Sequence, residues 1–387
     1  MKAGLYTYAW DLEAIGYNTA VGQIAEAGFT AVNLATAYHA GKFILPRNPQ
    51  RKVYFSEDGS LYFMPDLSRY GKIKPRVNSM VSAEGDPVGR LSAAVSKYGL
   101  EYVAWTVCLH NTWIGERHPD VTMHNAFGDP QLHSLSPAHP DVRAYLVALV
   151  GDLVRRYDVS AIELESPGYM GFAHGFHHEI YGVKLDAVQQ RLLGISFNPV
   201  EIAGATAEGI DAANLRLRVA SLIDDSWNRG RPVEIDGAPS QPVQDLLADE
   251  EFIAYEAWLN RQVVSLAEEV RAAIRAASSS TRIRHFAAMA AGEQPDVQDP
   301  LLATGDDILL GYAATPADAE AKVAAFAGAE KPLWGMLRSI APDFPEPEGL
   351  EEIISTWKRS GVEGLDIYNF GLMSQPNFDA VARALNG

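Results

Sequence analysis

Eight short β-prone runs alternate with amphipathic helical patterns along this 387-residue chain, and no glycine-rich phosphate-binding fingerprint follows the first run. Strands that alternate with helices pair in parallel, and eight such units close on themselves. The sequence therefore predicts the α/β class and a (β/α)8 barrel, with an open doubly wound sheet as the weaker reading.

The runs are Gly4–Trp10, Thr30–Tyr38, Tyr102–Leu109, Ser160–Glu165, Arg282–Met289, Asp307–Ala313, Pro332–Ser339 and Gly364–Phe370. Each is short and rich in β-branched or aromatic residues. Ala20–Ala27 reads as a helix that stops at Gly28, and Leu350–Arg359 as one that stops at Gly361; glycine is the usual residue past a helix C-terminus. His139-Pro140 starts another, with proline at the first helical position. Val142, Tyr145, Leu146, Leu149, Val150, Leu153 and Val154 then form its apolar stripe.

Two segments exceed what a barrel needs. Residues 40–81, proline- and tyrosine-rich, are expected to form a small hairpin over the barrel mouth. Residues 166–281 are mostly helical by pattern and end in a long helix, Glu250–Ala277. Neither has the composition of a linker, so residues 1–387 read as one barrel domain with two insertions on its active face.

Composition narrows the function. With 47% hydrophobic residues the chain can bury a large core, and a net charge of −17 argues against nucleic acid as a partner. One cysteine, Cys108, excludes an intramolecular disulfide and a cysteine-based metal cluster. There is no secretory pattern at the start and no run of about 18 apolar residues to span a bilayer. The expectation is a cytoplasmic protein acting on a small molecule, with no membrane partner and the homo-oligomeric state left open.

The densest chemistry lies in AIELESPGYMGFAHGFHHE, residues 161–179. Alternation puts Ile162 and Leu164 on one face of the strand and Glu163 and Glu165 on the other. The apolar pair should pack outward on helices, so both glutamates should point into the barrel, Glu165 at the C-terminal end where barrels place their chemistry. A buried charge is costly unless used or paired; the competing reading is that both pair with inward Arg or Lys. If Phe172–Glu179 is helical, His174 and His178 share one face at a zinc-binding spacing, but Gly175 stands where a metalloprotease helix needs glutamate. Pocket lining, together with Tyr169 and Phe172, is the simpler role.

Other strand ends add aromatic, amide and imidazole groups: Tyr8, Trp10 and Asp11; Asn33, Tyr38 and His39; Trp105, His110, Asn111 and Trp113; Trp334 and Arg338; Asp366, Tyr368 and Asn369. Aromatic faces suit sugar C–H surfaces and the polar groups suit hydroxyls. Trp105 and Trp334 are also candidates for simple core filling.

FTAVNLATAYHAGKFILPRNP (residues 29–49) and SPAHPDVRAYLVALVGDLVRRYDVSAIELESPGYMGFAHGFHHE (residues 136–179) resemble uncharacterised bacterial glycoside-hydrolase-like TIM-barrel proteins. The resemblance covers most of the first 200 residues. It departs at Leu192–Pro199, which lacks the cysteines common in that group. It implies a barrel acting on carbohydrate. Retaining glycosidases of this fold usually place the acid/base at the end of strand four and a nucleophilic carboxylate at the end of strand seven. Glu165 matches the first position; strand seven ends Met336-Leu337-Arg338-Ser339, without a carboxylate.

The expected function is glycoside hydrolysis, with Glu165 as acid/base and its proton retained by burial and by the Glu163 charge. Asp366 is the first candidate for the second carboxylate, and Asp11, Glu116 and Asp343 are loop candidates. Arg338 pairs with Asp366 or holds a substrate carboxylate, which would make the sugar acidic. No cofactor is expected for a hydrolase. The alternative is a divalent-metal sugar isomerase or epimerase, with Glu165, His285, Asp366 and a histidine of residues 174–178 as ligands. A third reading is a non-catalytic carbohydrate-binding barrel.

Overall fold

The computed structural model describes residues 1–176, 178–287 and 299–387. Eight parallel strands form a closed barrel: β1 (Lys2–Thr7), β2 (Ala31–Tyr38), β3 (Glu101–Val107), β4 (Ala161–Glu165), β5 (Arg282–Phe286), β6 (Asp307–Tyr312), β7 (Leu333–Arg338) and β8 (Gly364–Tyr368). β1 pairs with both β2 and β8, so the sheet has no free edge in the barrel wall. The outer ring contains α1 (Tyr17–Glu26), α2 (Pro87–Tyr98), α3 (Pro140–Arg156), α4 (Glu250–Ala277), the short α5 (Pro300–Ala303), α6 (Pro316–Ala325), α7 (Leu350–Arg359) and α8 (Gln375–Asn386). Among the described residues, no helix is long and apolar enough to cross a membrane.

Local signals account for these elements. Asp86 accepts from the Gly89 amide to cap α2, Pro87 occupies its first position, and Gly99 closes it with φ 68°. The α3 stripe is buried throughout, and His139 caps its start by accepting from the Asp141 amide. Most strand boundaries shift by one or two residues, and two strand ends depart further from expectation. β1 stops at Thr7, and Ala9–Ile15 is a short helix, so Trp10 and Asp11 leave the strand's alternation. β5 runs to Phe286 and leaves out Ala287, and the last two residues of the expected strand, Ala288 and Met289, fall outside the described residues.

The insertions build distinct structures. Gly41–Ile44 pairs antiparallel with Val53–Ser56, and this hairpin lays Phe43 and Tyr54 on Trp10, with ring centroids 5.1 and 4.5 Å away. The segment after β4 contributes helices Ala187–Leu193, Pro199–Ala207, Ala212–Arg229 and Gln241–Leu247. With the N-terminal turns of α4 they enclose a second apolar cluster around Leu192, Phe197, Leu215, Val219, Phe252 and Tyr255. A third excursion, absent from the sequence expectations, lies between β3 and α3. It holds the helix Thr112–Arg117 and a hairpin of Thr122–His124 with Pro130–Leu135.

The barrel floor is polar. Arg284 Nη1 donates to Glu163 Oε1 at 2.9 Å and to Asp366 Oδ2 at 3.1 Å, while its Nε lies 3.7 Å from Asp307 Oδ2. Asn33 Nδ2 bridges the same two carboxylates, at 3.1 Å from each, and the guanidinium lies over the Trp334 ring at 3.5 Å. All these side chains are buried. Gly4 makes room for them, because a Cβ there would run into the Asp366 carboxylate. Burial and then the neighbouring Asp366 charge push the Glu163 carboxyl above its ordinary range; Asp366 also rises, through burial. Burial works against the Arg284 charge, but Asp366 and Glu163 outweigh it. Removing one partner of such a cluster strands the others, which costs about 3–5 kcal/mol. Urea unfolding of Arg284→Ala is expected to show a loss of that order, whereas Arg383→Ala, which breaks the exposed pair with Glu351, is expected to leave the midpoint nearly unchanged.

Candidate active site

One layer above this floor, at the C-terminal ends of the strands, the barrel opens into a mouth of about 220 Å³. Tyr6, Tyr38, Trp105, Glu165, Phe286, Tyr312, Arg338 and Tyr368 line it. Glu165 arrives by plain alternation: Ile162 and Leu164 are buried against the helical ring, and Glu163 and Glu165 point inward. The strand ends abruptly because Ser166 takes a left-handed conformation with φ 50°, unusual for a residue with a side chain. Trp105 Nε1–H donates to Glu165 Oε2. Burial raises the Glu165 pKa from 4.5 to about 7, against the opposing effect of the Trp105 hydrogen bond. Among the described residues no cation is paired with it, in contrast to Glu163.

The rest of the mouth is aromatic and hydroxylic. Tyr8 lies just behind the lining, its hydroxyl bonded to Tyr38 at 2.9 Å and to Tyr368 at 2.7 Å, which fixes both rings. Burial pushes the Tyr368 hydroxyl up to about 12, so it stays protonated as a donor. Arg338 forms a two-pronged pair with Asp343, Nε to Oδ2 at 3.0 Å and Nη2 to Oδ1 at 2.8 Å. Tyr312 reaches the mouth because a register irregularity between Leu309 and Tyr312, with Gly311 at φ 76°, resets the alternation of β6.

A second chamber of about 440 Å³ adjoins the mouth, and its lining includes His39, Asp58, Arg76, His110, Trp113, Glu116, His133 and His174. The two share a wall, since Tyr38 faces the mouth and its neighbour His39 faces the chamber. His39 stacks on Tyr38 at 4.2 Å and on His110 at 4.4 Å, and His174 meets His110 edge-on at 4.4 Å. Burial, reinforced by the neighbouring imidazoles, holds His110 down at about 2, and burial also lowers His39, His133 and His174. All four rings are neutral near pH 7.

Several expected site residues lie elsewhere. Glu163 and Asp366 belong to the floor, and Asp366 is held by Arg284 and Asn33 rather than by Arg338. His285 faces outward, since its neighbour Arg284 faces in, and its Nε2 pairs with the Thr304 hydroxyl at 2.8 Å. Trp10 is buried under the 41–56 hairpin and stacks on Tyr8 at 4.3 Å. Asp11 accepts from Asn48 at 3.0 Å behind the lining, its pKa raised to about 6 by burial. Asn111 caps the Thr112–Arg117 helix, and Asn369 accepts from the Gly371 amide. Tyr169 and Phe172 pack against the second apolar cluster. His178 is exposed with φ 53°, and the described residues 172–176 and 178–179 form no helix, so its expected shared face with His174 does not form. Trp334 fills the core over Arg284. Tyr6, Phe286, Tyr312, Asp58, Arg76 and His133 were not foreseen. Tyr6 shares its parity with Tyr8 and was within reach of the same rule that placed Glu165.

Among the described residues, no group of three or more His, Cys, Asp or Glu side chains is arranged to hold a metal ion. The donors expected for an isomerase are split between the mouth (Glu165), the floor (Asp366), the outer face of β5 (His285) and the chamber (His174).

Fold and site together define an eight-stranded (β/α)8 barrel with a carboxyl, its pKa raised by desolvation, at its open end. Neither a family model nor a curated protein sequence matches the chain. Solved structures are similar in fold. The α-L-fucosidase isoenzyme 2 from Paenibacillus thiaminolyticus aligns with a TM-score of 0.63 at 11% identity, over 100% of this chain and 49% of that one. A catalytic mutant of Gan42B, a GH42 β-galactosidase from G. stearothermophilus, aligns at 0.60 and 11%, over 100% and 56%. The PgaB (BpsB) glycoside hydrolase domain from Bordetella bronchiseptica aligns at 0.57 and 12%, over 100% and 99%. At such identities the likeness is one of fold. The chain spans about half the length of the fucosidase and of the galactosidase.

The desolvated Glu165 sets a pH signature that needs no substrate. Its folded pKa lies above the unfolded value, so stability falls as pH rises from about 4.5 to about 7, where the unfolded chain ionises first. Glu165→Gln removes this dependence. Urea unfolding is expected to show the variant gaining on the wild type between pH about 5 and about 8; a constant difference would contradict the raised pKa.

Proposed function

We propose that this protein is a carbohydrate-active enzyme, a glycoside hydrolase that uses Glu165 as general acid/base on a small glycoside or oligosaccharide. The observation that carries the proposal is the state of Glu165: a carboxyl that keeps its proton up to about pH 7, at the C-terminal mouth of a barrel, walled by aromatic rings and tyrosine hydroxyls. A protonated carboxyl can give its proton to a leaving glycosidic oxygen near neutral pH, and the same group ionised can accept one from water. The similar folds named as fucosidase, galactosidase and glycoside hydrolase domain support the reading.

The mouth favours a neutral sugar over an acidic one. Arg338 is the cation that would hold a substrate carboxylate, and Asp343 already takes its Nε–Nη2 edge and offsets its charge. Among the described residues Glu165 is the only carboxylate lining the mouth, and Asp343 stands directly behind it through Arg338. The scattered donors weigh against the metal isomerase, and the proton-retaining acid weighs against a purely binding barrel.

The test is turnover of aryl and alkyl glycosides, including β-galactosides and α-L-fucosides, neutral and uronic. One neutral class is expected to be hydrolysed, with turnover of the alkyl glycoside reduced at least about a hundredfold in Glu165→Gln and unchanged by a chelator. Its rate should fall as pH rises through about 7, and Trp105→Phe should move that limb to higher pH, because the lost hydrogen bond favoured the ionised form. Turnover that survives Glu165→Gln, or that chelation abolishes, would overturn the proposal.

A further inference from the structure

The mouth is small for what it is asked to do. Small-molecule sites usually enclose about 300–1,000 Å³, and the mouth encloses about 220 Å³. The adjoining chamber of about 440 Å³ sits against the same wall, and the hydrolase reading leaves it unused.

Its walls are built rather than incidental. His39 comes from the end of β2, His110 from the end of β3, His133 from the hairpin before α3, and His174 from the segment after β4. Four separate stretches thus bring their imidazoles together in a ladder that starts at Tyr38 in the mouth. A neutral imidazole offers one donor and one acceptor, which matches a sugar hydroxyl, and its flat face accepts the C–H surface of a pyranose. The charges at the rim disfavour acidic ligands: Arg76 is paired with Glu57 at 3.2 Å, and Asp58 and Glu116 are both acidic.

We infer that this histidine-walled chamber is a second sugar-binding subsite, so that the substrate is a neutral glycan of at least two units reaching from Glu165 past Tyr38 to His110. The inference rests on the hydrolase reading for its placement beside Glu165. It explains why loops after β2, β3 and β4 are all enlarged on one side of the barrel. The aromatic mouth grips the unit next to the acid, and the chamber supplies length selectivity.

The experiment is calorimetry on the full chain carrying Glu165→Gln, with galactose, glucose and N-acetylglucosamine against galactotriose, cellotriose, maltotriose and chitotriose. At least one trisaccharide is expected to bind about tenfold or more tightly than its monosaccharide. Adding His110→Phe, which keeps a ring and removes both nitrogens, should bring the two affinities together, and His39→Phe should do the same. Adding His110→Gln, which keeps a donor and an acceptor, should restore part of the preference. Equal affinities for every monosaccharide and trisaccharide, or a length preference that survives both phenylalanine variants with unchanged thermal midpoints, would overturn the subsite. Failure of the hydrolase reading shows separately, as the wild type turning over no glycoside while the length preference persists.

Discussion

Arg284 is the constraint on which the barrel interior depends. One guanidinium stands among the carboxylates of Glu163, Asp366 and Asp307, the last of which is also held by Arg282, and Trp334 covers its face. Three acids cannot be buried around a single site unless a cation or retained protons compensate. The small residue at Gly4, the bridging amide of Asn33 and the stacked indole are all consequences of fitting that cluster into a closed wall. The cluster also explains why Glu165 differs from Glu163, two residues away on the same face. Glu163 has the arginine; Glu165, one layer higher, has an indole N–H and, among the described residues, no cation, so desolvation dominates its shift.

That division separates the ion-paired floor from the proposed acid within five residues of one strand. The floor's carboxylates hold the barrel together, and the mouth has one carboxyl bonded to the Trp105 indole in an aromatic cup. Tyr8 contributes from behind by anchoring Tyr38 and Tyr368, so two lining hydroxyls are fixed by a residue that never faces the cavity. Preorganised donors around a protonated acid are the arrangement expected where a glycosidic oxygen must be protonated without prior rearrangement.

Much of this was legible in the sequence, and the failures have physical causes. Strand and helix periodicity exposed all eight barrel strands and the helix Glu250–Ala277. Alternation placed Glu165 at the mouth. The same rule, applied to β5, would have turned Arg284 inward and His285 outward. Trp10 and Asp11 were misplaced because the aromatic run of β1 continues past the point where the chain turns into a helix. Tyr312 was hidden by the irregularity at Gly311, which no alternation pattern reveals. His133 joins the chamber through a hairpin whose pairing is long-range, and His178 leaves it because glycine and aromatic residues in 171–176 do not sustain a helix. Local pattern therefore recovered the barrel, while the membership of the pocket depended on loop conformations that only the assembled fold determines.

The reading of the mouth depends on burial raising the Glu165 carboxyl to about 7, with no ion-pair partner among the described residues. The most direct measurement is the carboxyl 13C shift of Glu165, assigned by comparison with Glu165→Gln, followed across pH about 4 to about 9. A titration centred near about 7 is the result expected from its environment. A midpoint near the ordinary glutamate value of about 4.5 would contradict the account, since the mouth would then hold a carboxylate anion with no proton to give.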